Sequence, residues 1–411
     1  MTTAAVLATG TELTRGELVN TNATWLAEAL TALGFDVVEL STVGDDKTQI
    51  RAALERLSGF ARVIVCTGGL GPTTDDLTSA VVAELLGVPL VRDAASYEAI
   101  RARLAFFGRT VSESNAKQAD FPVGVTVLPN ERGTAPGFGV ELGGALACFL
   151  PGVPSEMMAM FEKRVVPLLA PLERAARHQI RLRAFGMPES EVNDRLAGLE
   201  AEHGVVLGYR ASLAELEVKV LASGTSPEDA EARARSGAAD VRARLGNVVF
   251  GEGTVSLPSV LVELLATAGA TLTLAESCTG GLAAELVTRV PGASRVFLGG
   301  VVAYSNELKV RFLGVDPTLL EAHGAVSEEV ARAMAEGARR ATGATYALAF
   351  TGIAGPGGGS AEKPVGLVHL ALATPSGTQA DQRVFPGTRD EIRRRAAYWG
   401  LGLLRRSLLA K

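Results

Sequence analysis

The chain is poor in aromatics, histidine and cysteine: 5% of its 411 residues are aromatic, with four histidines and three cysteines. Cys66, Cys148 and Cys278 lie far apart, lack metal-ligand spacing, and two of them sit in apolar strand-like runs. They read as reduced thiols, which excludes a disulfide scaffold. His178, His203, His323 and His369 are equally scattered and form no zinc pattern. Positive charge is not in excess either: the formal net charge is -5, which argues against broad non-specific nucleic-acid affinity. No apolar run reaches the roughly 18 residues of a membrane span. Met1-Thr-Thr leads into a strand pattern without a basic leader, so a cytoplasmic protein is expected. What is abundant is glycine (46 residues) within a composition that is 47% hydrophobic and 21% charged. That balance suits α/β layers, and the length suits two or three domains.

One stretch combines the most chemistry: Thr271-Leu-Thr-Leu-Ala275-Glu-Ser-Cys-Thr-Gly-Gly281-Leu-Ala-Ala-Glu-Leu-Val287. Its front reads as a buried strand, and from Gly281 to about Arg289 its apolar residues recur at helical spacing. Ser277 therefore falls in a strand-to-helix corner at the carboxyl edge of a sheet, where ligands bind. The first amides of the helix are expected to be unpaired and to attract anions or developing negative charge. Gly280 and Gly281 would let a ligand approach that backbone. Ser277 is a candidate nucleophile, and the competing reading is a serine cap in a tight corner. Cys278 is the rival nucleophile, at a helix start that lowers a thiol pKa.

Residues 1–170 read as a mostly parallel, doubly wound sheet. Strands are expected at Ala4–Ala8, Phe35–Leu40 and Arg62–Cys66, with helices at Asn22–Leu33, Lys47–Leu57 and Asp76–Leu86. The loop Thr67-Gly-Gly-Leu-Gly-Pro-Thr-Thr-Asp-Asp76 is the informative one. Gly68, Gly69, Gly71 and Thr73 fit a backbone-and-hydroxyl cradle for phosphate oxygens. Asp75 or Asp76, with Glu12 from the loop after the first strand, offers hard oxygens for a divalent cation shared with phosphate. The alternative makes Asp75 or Asp76 a helix N-cap.

Residues 171–251 pattern as a small αβ sandwich, with strands at Arg181–Phe185, Val205–Tyr209 and Glu215–Leu221 and helices at Pro188–Leu199 and Ser226–Leu245. Residues 186–250 hold no GXXG and eleven Asp/Glu against seven Lys/Arg, so nucleic-acid binding is not expected. Gly251-Glu-Gly-Thr254 reads as a linker. Residues 252–411 form a third α/β region, with polar loops at 275–281, 304–309 and 351–359, each leaving a strand. If those strands are parallel neighbours, the loops share one rim and Lys309 becomes a candidate base for Ser277. The absence of histidine near these motifs favours Ser–Lys over Ser–His–Asp chemistry. Amides around Cys278–Gly281 or at Gly352 could serve an oxyanion, and Lys309 as a solvated helix residue is the alternative.

The 67–76 loop, with Gly10-Thr-Glu-Leu13, Asn115-Ala-Lys-Gln-Ala119, Asn130-Glu-Arg-Gly-Thr-Ala-Pro-Gly137 and Pro151-Gly-Val-Pro-Ser-Glu-Met157, resembles a molybdopterin-binding domain as found in the CinA (competence/damage-inducible) family. The middle resembles that family's K-homology-like domain. Ala275–Gly281, Tyr304-Ser-Asn306, Lys309, His323–Ser327, Thr351–Pro356 and Lys363-Pro-Val-Gly366 resemble its C-terminal domain, which includes nicotinamide mononucleotide deamidases.

The resemblance implies a bifunctional hydrolase of pyridine-nucleotide salvage and a homodimer. In the first domain it implies ADP-ribose hydrolysis to AMP and ribose 5-phosphate, using a divalent metal (Mg, Mn or Co) at Glu12, Asp75 and Asp76. Asn115 and Lys117 would contact phosphate or ribose there. In the last domain it implies metal-free deamidation, with Ser277 as nucleophile, Lys309 as base and Tyr304 nearby. Thr279, Gly280, Gly281, Thr351, Gly352, Gly355 and Gly357 would line the substrate, and Arg389 or Arg394 would meet its phosphate. Two other readings stand beside this one: a single active domain with a vestigial nucleotide binder, or a non-catalytic accessory protein in competence or DNA repair.

Overall fold

The computed structural model describes residues 2–172 and 175–410. The chain divides into two compact units, Met1–His178 with Ser223–Ala230, and Gln179–Ala222 with Glu231–Lys411.

In the first unit the strands are β1 (Thr3–Thr9), β2 (Asp36–Val43), β3 (Val63–Thr67), β4 (Leu90–Arg92), β5 (Asp120–Pro122), β6 (Thr126–Leu128), β7 (Gly137–Leu142) and β8 (Ala145–Leu150). Six form one sheet in the order β2-β1-β3-β8-β7-β6, while β4 and β5 pair separately. The contacts from β2 to β8 are parallel, and β7 and β6 add an antiparallel edge. Strand alternation sorts the core into two layers. Ala5, Leu7, Ile64 and Cys66 meet Ile50, Leu54 and Val81 of helices Lys47–Ser58 and Thr78–Leu86. Ala4, Val6, Val63 and Val65 meet Leu26 and Leu30 of helix Thr21–Ala32 and Met157 of helix Pro154–Met160. Every strand of the parallel part therefore ends at one edge, where the 9–16, 67–76 and 151–153 loops gather.

The middle sheet comprises β9 (Ala176–Ala184), β10 (Val205–Ala211), β11 (Leu216–Gly224) and β12 (Val249–Glu252), ordered β10-β11-β9-β12. Val249 and Phe250 are buried, which draws the chain into a strand against β9. The expected linker at 251–254 thus begins inside the sheet. The expected helix 188–199 is two, Glu189–Arg195 and Leu199–His203, because Gly198 adopts a left-handed φ of 84° between them.

The last sheet holds β13 (Leu272–Glu276), β14 (Phe297–Val302), β15 (Tyr346–Gly352), β16 (Leu367–Thr374) and β17 (Gly377–Val384), ordered β14-β13-β15-β16-β17. β13 lies between β14 and β15 and runs parallel to both, with Glu276 opposite Val302 and Phe350. β16 and β17 run antiparallel. Leu274, Leu348 and Phe350 face helices Leu257–Thr267 and Arg389–Leu409. Ala275, Ala347 and Ala349 face Val330 and Met334 of helix Glu328–Thr342, which Ser327 caps.

Helix Arg389–Leu409 also ties the last domain to the middle one. Arg405 donates from Nη1 to the Asn247 carbonyl (2.7 Å) and from Nη2 to that of Val249 (3.1 Å). Phe185 fits against Gly402, where an added Cβ would lie 2.3 Å from its ring. No helix among the described residues is long and apolar enough to cross a membrane.

Candidate active sites

In the first unit a cavity of about 390 Å³ opens at the carboxyl edge of β1 and β3. Gly68, Gly69, Gly71, Thr73, Asp75, Asp76 and Glu12 all line it, as the loop composition suggests. The close approach explains the glycines: a Cβ on Gly68 (φ +105°) would sit 2.3 Å from the Thr9 carbonyl oxygen. Asp76 does not cap the next helix, which begins at Thr78 behind Leu77 without a side-chain cap. Its Oδ2 instead accepts from the Thr73 amide at 2.8 Å and from the Thr73 hydroxyl, closing the loop on itself. Hydrogen bonding from Thr73, and the charge of Lys117, hold the Asp75 carboxyl below its usual range.

Lys117 is not a solvated helix residue. Its Nζ donates to the carbonyls of Thr73 (2.8 Å) and Asp76 (2.7 Å), fastening the glycine loop. Asn115 does not line the cavity; it forms a capping box with Ser112. Three lining residues receive no role of their own from the sequence: Asp45, and Gln118 and Glu156 within the quoted motifs. Asp45 accepts from the Thr11 amide at 2.7 Å and so stitches the loop after β2 to the one after β1. Glu156 accepts from Asn130 Nδ2 at 2.7 Å, bringing together two patches that are 26 residues apart. The buried oxygens Thr9 Oγ1 and Gln118 Oε1 have no protein partner.

In the last domain the three polar loops do leave adjacent parallel strands and share one rim. Ser277 is buried there, its amide donating to the Phe350 carbonyl at 2.9 Å. Lys309 is 1% exposed, in helix Asn306–Leu313. Its Nζ donates to the carbonyls of Ala303 (3.0 Å) and Tyr304 (3.2 Å), and no carboxylate pairs with it among the described residues. Burial lowers its pKa. No hydrogen bond joins Lys309 to Ser277 among the described residues. Tyr304 is exposed, and its hydroxyl accepts from Arg389 Nη2 at 3.0 Å. Arg389 Nη1 reaches the Gly355 carbonyl at 2.7 Å, so one guanidinium bridges two rim loops. Arg394 lies 3.5 Å from Asp390. Gly352 ends β15 opposite Val368, Gly357 is exposed, and Thr351 donates to the Ala325 carbonyl at 2.6 Å.

Three expectations are corrected here. The amides opening helix Leu282–Thr288 are not vacant: buried Glu276 accepts from Gly281 (3.0 Å), Ala283 (3.1 Å) and Ala284 (2.8 Å). The Gly280 amide donates to the Ser277 carbonyl at 3.1 Å, so it too is committed within the corner. The Cys278 thiol is not activated by its helix start, since burial pushes its pKa up to about 12. A histidine is also near these motifs, because buried His369 pairs in register with Thr351. Burial, then the charge of Lys363, holds it below the ordinary imidazole pKa. Sequence reasoning also missed Arg393, which donates to the Thr279 carbonyl at 2.8 Å, and it left the buried Thr279 Oγ1 unpredicted as a free polar atom. These pairings join residues 18 to 114 positions apart, beyond the reach of local pattern.

The middle domain brings Glu202, His203 and Asp240 within 4.8 Å of one another. Arg244 already neutralises that cluster, at 2.8 Å from Asp240.

Comparison with known proteins matches three domain descriptions in order: "Probable molybdopterin binding domain" over residues 5–171, "Damage-inducible protein CinA KH domain" over 179–251 and "CinA C-terminal domain" over 254–408. A CinA-like protein of Anaeromyxobacter sp. (strain Fw109-5) is 48% identical over 98% of both chains. A putative competence-damage inducible protein of Symbiobacterium thermophilum is 43% identical over 97% of both. The crystal structure of competence/damage inducible protein CihA from Agrobacterium tumefaciens is 42% identical and covers 38% of this chain and 97% of that one, with a TM-score of 0.36.

Proposed function

The chain belongs to the CinA family, and from that premise we propose that it is a two-site hydrolase of pyridine nucleotides. The last domain deamidates nicotinamide mononucleotide to nicotinate mononucleotide and ammonia. The first splits ADP-ribose into AMP and ribose 5-phosphate.

The observation that carries the first activity is Lys309: a fully buried amine without a carboxylate partner, on the rim that holds Ser277. Burial favours its neutral form, which is the form a base requires. In the proposed reaction Ser277 Oγ attacks the carboxamide carbon while its proton passes to Lys309. The carbonyl oxygen becomes an oxyanion, which backbone amides of the corner would have to stabilise. Lys309 returns the proton to the nitrogen, the C–N bond breaks and ammonia leaves. Water then cleaves the acyl-serine ester, restoring Ser277. Arg389 holds Tyr304 and the 353–359 loop together at the mouth.

For the second activity the donor set of the first unit fits a hard divalent cation: carboxylate oxygens of Glu12, Asp75 and Asp76 beside hydroxyls and glycine amides in one cavity. Such an ion, when bound, would neutralise the diphosphate and lower the pKa of water. Asp76 has one oxygen committed to Thr73, so its Oδ1 is the free ligand atom. Lys117 acts by holding the glycine loop in place rather than by touching substrate. Asn115 has no place in this arrangement beyond its cap.

The decisive experiment assays both reactions in one preparation. Ser277→Ala should reduce ammonia release from nicotinamide mononucleotide by at least about 10³-fold and leave metal-dependent AMP release from ADP-ribose unchanged. Loss of both activities, or of neither, sinks the two-site reading. Wild-type protein giving one product alone would favour a single active domain, and neither product would favour an accessory protein.

A further inference from the structure

A cleft of about 510 Å³ lies in the second unit, away from the Ser277 rim. Helix Arg389–Leu409 separates the two places. Arg389 and Arg393 lie one turn apart and serve the rim, whereas Arg395 and Trp399 lie one turn apart on another stripe and line the cleft. Phe185 enters from the end of β9, and Phe385 from the end of β17. Their rings stand 5.8 Å and 6.3 Å from that of Trp399. The volume falls within the roughly 300–1,000 Å³ of small-molecule sites.

The charge around this aromatic wall does not balance. The Arg383 guanidinium sits 4.5 Å from the Trp399 ring centre and that of Arg406 5.3 Å. Arg395 donates from Nη1 to the Pro386 carbonyl at 2.9 Å, while its Nε is buried without a partner. Against these three cations stands Asp381, which accepts from Trp399 Nε1 at 2.7 Å and lies 3.5 Å from Arg383. Glu391, one turn before Arg395, is committed to the Thr388 cap at 2.7 Å. Arg406 is exposed, and its guanidinium has no hydrogen-bonded partner among the described residues. Three guanidiniums gathered around one carboxylate leave a net positive wall that attracts an anion. Guanidinium forks suit phosphate, and flat aromatic walls suit a planar ring.

We propose that this cleft binds a nucleoside monophosphate, with Arg383 and Arg395 on the phosphate and Phe185 and Phe385 against the base. Such a ligand touches both the middle and the last domain, so its occupancy couples them. The site is independent of the two proposed activities.

The test uses the full chain carrying Trp25→Phe, which leaves Trp399 as the one tryptophan of the two in the sequence. AMP, adenosine and inorganic phosphate are each titrated while tryptophan emission is followed. AMP should change the emission saturably, with adenosine and phosphate at least about tenfold weaker. Arg383→Gln/Arg395→Gln should raise the AMP dissociation constant at least about tenfold without changing deamidation or the ligand-free melting curve. If the double variant is unstable, Arg383→Gln alone, at an exposed position, should weaken AMP binding in the same direction. No saturable change with millimolar AMP, or an unchanged dissociation constant in a folded variant, overturns the proposal.

Discussion

Lys309 stands out because a cationic side chain this deeply buried hydrogen-bonds only to carbonyl oxygens among the described residues, with the Cys278 thiol near. The fold therefore favours the neutral amine, and two pH effects follow from its lowered pKa. Deamidation should rise with pH through an apparent pKa below the ordinary lysine value of 10.5. Stability should also rise with pH between that lowered value and 10.5, because the unfolded chain binds the extra proton over that window. Lys309→Met should abolish deamidation and flatten the stability slope. A pH–rate profile and denaturant midpoints across the same buffers would show both. An unaltered slope in Lys309→Met would mean the amine keeps its proton in the fold. Glu276 shows the limit of a one-dimensional reading. The strand, the corner and the following helix were all legible, yet an acid six residues before the helix start supplies the cap, and no local pattern marks it.

At the scale of elements, long periodic segments were legible: helices Lys47–Ser58 and Pro227–Leu245 lie within a residue of their expected bounds. The rim was legible too, because alternating strands and helices leave few ways to order a parallel sheet. Loop-to-loop stitching was not. Asn130 is the clearest case: its Nδ2 binds the Ala135 carbonyl and Glu156, and its Oδ1 accepts the Arg132 and Gly133 amides at 2.9 Å. Asn130→Ala should cost about 1–3 kcal/mol of stability through the unpaired groups left behind. It should also raise the KM for ADP-ribose and leave deamidation alone. Thermal unfolding with kinetics on both substrates would check it, and a simultaneous loss of deamidation would contradict the assignment. His369 was missed for a related reason. It stands 18 residues from Thr351 in sequence, and only antiparallel pairing makes them neighbours.

For the whole molecule, the acid-rich cavity and the Lys309 rim lie in different compact units. The two proposed reactions should therefore part company under chelation. EDTA should abolish AMP release, which a divalent ion restores, while ammonia release continues. Equal inhibition of both by EDTA would refute the metal-free assignment. One further consequence concerns synthesis. The carbonyls of Asn247 and Val249 receive their donors from Arg405, near the very end of the chain. As the ribosome makes the protein, the middle sheet emerges more than 150 residues before that guanidinium, with an edge still unpaired. Pulse proteolysis of stalled nascent chains should find the middle domain open to cleavage until a C-terminal extension has carried Arg405 clear of the ribosome, and protected afterwards.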